Sequence, residues 1–486
     1  MAIRMPNARS QHPTHPLLST RRAGVLMHIT SLPSPFGAGD LGIAAHGFAD
    51  WLAAAGFSVW QMLPVGPVGY GDSPYSSPSS FAIEPTFLAL EPLVSQGLLA
   101  KADLKLSARD TRRLARGDCD FAANRAFRMA RYARASAAFH AANGAKSRDF
   151  KRFLGRAPWL GAWIDFIAGS DAEARAMHSW IQFELDRQWA DLRAYCRKRG
   201  ISLVGDVPIF VTADSADVRA NPELFRLRKD GTPEVLTGVP PDNFSADGQL
   251  WGHPHYAWDA HRREKFAWWI SRIACAAERF DLVRIDHFIG FHNAYEVPAG
   301  AKNARKGEWR KAPGRELLTA MARRFGALPL IAEDLGALTP EVEALRDDFG
   351  LAGMRIVQNA FWSGKSGDMP HNHPSRAVVY SGTHDNETTE QWWKGRDPAQ
   401  RARFRAYAGD GAVHAAMNRI VLASPSALAV LPMQDLLGLG AAARMNLPGT
   451  ASGNWKWRME PGVIGSAAGK RLAAQFRAMN EASGRA

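Results

Sequence analysis

Residues 281–288 read DLVRIDHF, a short apolar run with branched side chains that ends in charge. A run of this length, bounded by polar groups, predicts a buried strand whose last residues surface at a sheet edge. Seven more runs share the form, at 24–30, 58–65, 201–209, 328–336, 353–361, 377–385 and 427–434. Helical patterns fill most of the gaps, for example 44–55, 176–198, 258–279, 314–324 and 340–348. Strand and helix alternating eight times predict an α/β fold, a (β/α)8 TIM barrel.

Three gaps are too long for a simple crossover and are expected insertions: a helical subdomain at about 86–175, a Pro/Gly-rich substrate loop at 213–255 and a polar excursion at 290–312. The middle one bears Asn243, Phe244, Gln249 and Trp251, groups suited to holding a ligand. The expected organisation is a flexible tail over 1–20 and one catalytic barrel over 21–486 that carries these insertions.

Among the 486 residues, 46% are hydrophobic and 22% charged, which excludes a disordered or fibrous chain. Cys119, Cys196 and Cys275 are too far apart in sequence for a zinc motif or a disulfide framework and suggest a reducing compartment. The first 22 residues, MAIRMPNARSQHPTHPLLSTRR, place prolines and polar groups where a signal peptide needs an apolar stretch. A cytoplasmic protein without a membrane partner is expected. The net charge is +13, and residues 101–160 hold 15 Lys/Arg against 5 Asp/Glu. Arg112, Arg113, Arg116, Arg125, Arg128, Arg131 and Arg134 recur at mostly helical spacing. That pattern predicts the wet face of helices rather than a nucleic-acid site.

Parallel barrels carry their chemistry where strands end. Here the ends read GDVPIF with Asp206, VRIDHF with Arg284, Asp286 and His287, IAEDLG with Glu333 and Asp334, and SGTHDNE with His384 and Asp385. A lone Asp at a strand end is ordinarily a cap or a loop anchor. Four ends converging on one rim shift the balance toward chemistry. Two or three close carboxylates suit the cleavage of a glycosidic bond, one as nucleophile and another as acid, then base. On this reading Asp286 attacks the anomeric carbon, with Arg284 on the same strand face as its counter-ion. Glu333, raised in pKa, protonates the departing oxygen. Asp385 binds sugar hydroxyls beside His384. Sixteen tryptophans and eight tyrosines add ring faces that stack on sugars. Tyr70, Asp72, Ser73 and Tyr75, in GYGDSPYSSPSSFA, fall on a loop at the same rim. No metal or other cofactor is expected, because the carboxylates are already assigned and His371 and His373 sit in a Pro-bounded loop.

The motifs HITSLPSPFGAGDLG, GYGDSPY, GDVPIFV, GVPPDNFSADGQLWG, VRIDHFIGF, IAEDLG, PHNHP, YSGTHDNETT, ARMNLPGT and GNWKWR occur in this order. The chain, from about Arg22 onward, thereby resembles glycoside hydrolase family 77, the 4-α-glucanotransferases or amylomaltases. The resemblance implies a (β/α)8 barrel and cofactor-free, retaining transfer among α-1,4-glucans: maltooligosaccharides, starch or glycogen. It assigns Asp286 as nucleophile, Glu333 as acid/base and Asp385 as the transition-state-stabilising aspartate. It places Asp206, Arg284 and His384 around the cleaved sugar, and Ser73, Tyr75, Trp251 and Asn454 on glucan-contacting motifs; Tyr70 and Phe244 join them as substrate-binding candidates from their place on the rim loops. The departures gather on the acceptor side: Asn243 replaces the tyrosine of PPDYF, His253 turns WGNP into WGHP, and Asn359 turns QFAF into QNAF, followed by Trp362 and Ser363. A hydrolase of the same glucans and a non-catalytic glucan-binding protein remain as alternatives. The complete carboxylate set speaks against the second.

Overall fold

The computed structural model describes residues 10–241, 245–336, 338–363, 367–450 and 452–485. Its strands are β1 (Arg22–Leu26), β2 (Val59–Gln61), β3 (Ser202–Pro208), β4 (Val235–Val239), β5 (Gln249–Pro254), β6 (Leu282–Asp286), β7 (Asn293–Pro298), β8 (Glu308–Lys311), β9 (Leu330–Ala332), β10 (Gly353–Ile356), β11 (Ala377–Tyr380) and β12 (Leu428–Pro432). Eight of them form one sheet in the order β10-β11-β12-β1-β2-β3-β6-β9. Every pairing in it is parallel. A parallel bridge from Ile331 to Ala352 joins the two ends of that order. The sheet therefore closes into the (β/α)8 barrel, with all eight strands where the apolar runs predict them.

Each strand is shorter than its apolar run. Past Ile356 the run 353–361 continues as the helix Val357–Ser363, with Val357, Ala360 and Phe361 buried. Burial alone does not distinguish a strand from a helix that is covered on all sides. The helix expected over 258–279 is two, Trp258–Arg263 and Ala267–Arg279, because Lys265 and Phe266 both take left-handed φ, 56° and 58°. Two such residues in succession cannot continue a right-handed helix. The break buries Phe266, and the Glu264 carboxylate accepts the Trp268 N–H at 3.3 Å in the first turn of the second helix.

The insertions depart furthest from expectation. Where 213–255 reads as a loop and 290–312 as a polar excursion, β4, β5, β7 and β8 form an antiparallel sheet in the order β5-β4-β7-β8. It pairs the two insertions through Thr237 and Glu296. Its strands are short, β8 is exposed throughout, and its core is only Tyr295, Val297 and Ala304. Too little alternation was present to signal it. Within 86–175 the chain forms helices, among them Phe121–Ala141 and Arg148–Arg156. Phe139 and Phe150 of these pack against Phe183 of the long helix Ala172–Lys198. The basic face is exposed at Arg112, Arg113, Arg116, Arg125 and Arg134, but Arg128 is fully buried and paired to Asp40. Residues 10–20, expected within a flexible tail, lie on the barrel: the His12 ring stacks on Phe349 at 4.6 Å and Leu18 is buried. Among the described residues no helix is long and apolar enough to cross a membrane.

On the N-terminal face of the barrel Arg485 is buried, and its hydrogen-bond partners among the described residues are carbonyl groups. Its guanidinium donates to the carbonyls of Leu422, Arg22, Ser424, Ser426 and Ala427 at 2.7, 2.7, 2.6, 2.9 and 3.4 Å. These join the strand starts of β1 and β12 to the end of the preceding helix. Leaving several buried carbonyls unpaired costs about 1–3 kcal/mol apiece when nothing replaces the donor. Arg485→Met is expected to lower the unfolding free energy by about 3 kcal/mol with kcat unchanged, allowing water to reach some of the carbonyls. Denaturant titration checks it, and an unchanged midpoint would refute the latch.

Candidate active site

Strand register places the polar groups. On β6, Arg284 and Asp286 are two apart and share a face, and β3 lies alongside with Asp206 opposite Arg284 and Pro208 opposite Asp286. Arg284 donates to Asp206 at 2.6 Å and meets Asp286 at 2.9 Å. One buried guanidinium thus serves two carboxylates. Tyr75, from the loop after β2, donates its hydroxyl to Asp206 at 2.8 Å.

Glu333 follows β9, and its backbone continues the ladder, its N–H donating to Ile285 O at 3.0 Å. Its carboxyl accepts the backbone N–H of His287 at 2.7 Å and of Leu335 at 3.1 Å. His287 reaches this position through a left-handed φ of 52°, uncommon for a non-glycine residue and a frequent mark of functional sites. Burial, helped by the nearby Asp286 charge and opposed by Arg284, raises the Glu333 carboxyl to about 8. Burial also lowers the His287 imidazole to about 4, so that ring is neutral. Asp334, on the same strand end, turns away into an ion pair with Arg346.

Beyond β11, Asp385 accepts the Asn446 amide at 2.6 Å, and His384 Nε2 lies 3.3 Å from its other oxygen. Arg444 donates to the Asp385 carbonyl at 2.8 Å. The His384 ring stacks on Tyr75 with centroids 5.2 Å apart, and Trp455 touches both rings. Tyr75 therefore links the Asp206–Arg284–Asp286 group to the His384–Asp385 pair.

The remaining expected contacts divide. Trp251, on β5, packs edge to face on His287 at 4.9 Å, so the inserted sheet reaches the Glu333 side of the site. Ser73 accepts the Tyr75 N–H at 3.2 Å and shapes its own turn. Tyr70 is 79% exposed and stands outside the carboxylate group. Asn454 is engaged within its own loop, accepting from Leu447 N at 3.0 Å and donating to Thr450 O at 3.1 Å. Phe244 and Asn243 lie outside the described residues, as do the side chains of Trp362 and Ser363. His287 is named at its strand end without a role, and Asn446, Arg444 and Trp455 are not named by the sequence reading at all. Their only signal was membership of the motifs VRIDHF, ARMNLPGT and GNWKWR.

A (β/α)8 barrel whose strand ends gather an ion-paired aspartate, a carboxyl held protonated near neutrality and a third carboxylate beside His384 and Asn446 is a glycoside-processing enzyme. The comparisons narrow this. The glycoside hydrolase family 77 model, described as 4-alpha-glucanotransferase, matches residues 27–174 and 167–464, and the chain belongs to that family. A 4-alpha-glucanotransferase of Thermus thermophilus is 41% identical over 507 residues, covering 96% of this chain and 99% of that one. The chloroplastic/amyloplastic 4-alpha-glucanotransferase of Solanum tuberosum is 36% identical, covering 90% of this chain and 82% of its own. Among solved structures, amylomaltase from Streptococcus agalactiae in complex with acarbose is 33% identical with a TM-score of 0.89, covering 96% of this chain and 99% of that one.

Proposed function

We propose that the chain is a retaining 4-α-glucanotransferase acting by double displacement. It moves an α-1,4-glucan segment from a donor maltooligosaccharide or starch chain to the 4-hydroxyl of an acceptor glucan or glucose. In the first half the Asp286 carboxylate bonds to C1 of the donor sugar, the C1–O4 bond breaks, and Glu333 gives its proton to O4. In the second half Glu333, now a carboxylate, takes the proton of the acceptor 4-hydroxyl, whose oxygen displaces Asp286 from C1. Two inversions give net retention.

The observation that carries this reading is the contrast between the two carboxyl groups. Asp286 is in contact with a guanidinium, whereas Glu333 is half-buried and its loss of solvent raises the carboxyl to about 8. One group is suited to attack and the other to donate a proton at neutral pH. Asp385, held by Asn446 and His384, contributes negative charge where oxocarbenium character develops. A cytoplasmic location belongs to the same proposal, with glucans as the partners and neither nucleic acid nor membrane. It is supported by the wide spacing of Cys119, Cys196 and Cys275 and by the helical pattern of the basic segment.

Maltotriose tests the reaction. Transfer yields glucose together with longer maltooligosaccharides, and hydrolysis yields glucose and maltose alone. The second result would replace transfer by hydrolysis on the same site. Acceptor departures bear on this partition. The family resemblance puts Asn359, in the helix after β10, and Asn243 where aromatic groups would face the acceptor. Restoring a ring with Asn359→Phe or Asn243→Tyr is expected to raise the transfer-to-hydrolysis ratio about 5-fold, the worth of about 1 kcal/mol of stacking. An unchanged ratio in both variants and in their combination would detach these positions from acceptor binding.

A further inference from the structure

The motif HITSLP leaves a residue without a role so far. His28 lies just past the end of β1, on the same rim as the carboxylates, and is 5% exposed. Its ring packs edge-on against Phe87 at 5.6 Å, and its Nδ1 meets no protein partner. Burial first, then the neighbouring His384, lower its imidazole to about 3, so it is neutral at any working pH.

A cavity opens beside it. Its polar lining includes His28, Ser31, His384, Gln434, Asp435 and Arg444, drawn from the segments that follow β1, β11 and β12. It offers about 30 Å³ to water, where a single ordered water needs about 10–15 Å³ and two to four polar partners. The lining meets both conditions. His384 lines the cavity, and its Nε2 lies 3.3 Å from Asp385 Oδ2; the two nitrogens of an imidazole point apart, which turns Nδ1 away from that carboxylate.

We propose that His28 is a positioning residue: through water held in this cavity it fixes the ring of His384, and through that ring the carboxylate of Asp385. The proposal rests on the reading of Asp385 given above. A water that donates to His384 Nδ1 keeps the proton of that ring on Nε2, the nitrogen aimed at Asp385. His28 Nδ1 is the second anchor of that water. A neutral ring suits this task, since it can share a water without bringing a positive charge into the cavity. The arrangement resembles the outer partners that orient ligand histidines elsewhere, whose loss is felt at the group they hold.

Because the unpartnered atom is Nδ1, asparagine can place an amide near it whereas leucine cannot. His28→Leu is expected to lower kcat for maltotriose disproportionation about 10-fold with KM within about 2-fold, and His28→Asn to recover most of the loss, as for one ordinary hydrogen bond expressed late in the reaction. A purely packing role predicts the opposite order, with leucine better tolerated than asparagine. Equal kcat in the two variants, or a leucine variant at the wild-type rate, would overturn the proposal. A crystal structure of the wild-type enzyme provides a reading that does not depend on either variant folding. It should show a water within hydrogen-bond distance of both His28 Nδ1 and His384, and a dry cavity overturns the proposal. Asp385→Asn, assayed alongside, separates the two levels: an active Asp385→Asn removes the reading of Asp385 itself, whatever His28 does.

Discussion

Asp286→Asn is expected to lower transfer from maltotriose on the order of 10⁴- to 10⁶-fold, the scale on which removal of an attacking nucleophile is felt. The substitution keeps the shape of the side chain and removes only its charge. Arg284 retains Asp206, to which it donates at 2.6 Å, so the buried guanidinium is not left unpaired and the fold should hold. KM should change little, because an attacking carboxylate does its work as C1 becomes electron-poor and not in the ground state. A smaller side chain makes the test sharper. With Asp286→Gly and added azide, a small anion can enter the space and attack the donor sugar directly. One displacement instead of two would then turn an α-glucoside into a β-glucosyl azide, which proton NMR distinguishes by its anomeric coupling. Near wild-type transfer in Asp286→Asn, or an α-configured azide product, would take the nucleophile's role away from Asp286.

The sequence was most readable where one physical signal sufficed. The barrel strands are buried on both sides, so runs such as 201–209 and 377–385 stand out from their polar flanks. The period of two along β6 also put Arg284 and Asp286 on one face, as their 2.9 Å contact shows. Pairings across the fold were another matter. That Asp206 would share Arg284 depends on β3 neighbouring β6 in register, and those residues are 78 apart in the chain, with the 213–255 insertion between them. Asn446 reaches Asp385 from a loop 61 residues further along. No local pattern carries such a distance. The inserted sheet was hidden for a different reason: a core of three residues on short strands leaves too few alternating positions to read. His287 was visible as a letter in VRIDHF, but its use lies in a backbone N–H aimed by an unusual φ, which side-chain chemistry does not announce.

Glu333→Gln should separate catalysis from stability in opposite directions. A glutamine cannot give a proton to the leaving oxygen, and general acid help is worth on the order of 10²–10⁴ in rate. Transfer from maltotriose should therefore fall by about 10³-fold. Formation of the glycosyl enzyme from an α-glucosyl fluoride should be nearly spared, since fluoride departs without a proton. In the wild-type enzyme the acid form is the active one in the first half reaction, so the rate should decline as pH rises through about 8. The substitution should act on stability in the opposite sense, as a gain. Burial raises the folded pKa of Glu333 from 4.5 to about 8. Between those values the unfolded chain has released a proton that the folded chain keeps, so the unfolded state binds fewer protons and stability drops as pH increases. Below pH 4.5 both states hold the proton, and above about 8 both have lost it, so the penalty is absent at low pH and complete at high pH. Glutamine has no such penalty at any pH. Any constant difference, such as an amide facing the N–H of His287 or Leu335, cancels when the two proteins are compared across pH. The gain of Glu333→Gln over wild type should accordingly grow between pH 4.5 and 7.5, by about 2 kcal/mol once sharing of charge with Arg284 and Asp286 is allowed for. Denaturant midpoints of both proteins at the two pH values measure it. A stability difference that stays flat with pH would mean that Glu333 is ionised in the folded protein at neutrality, and its role as the acid would go with it.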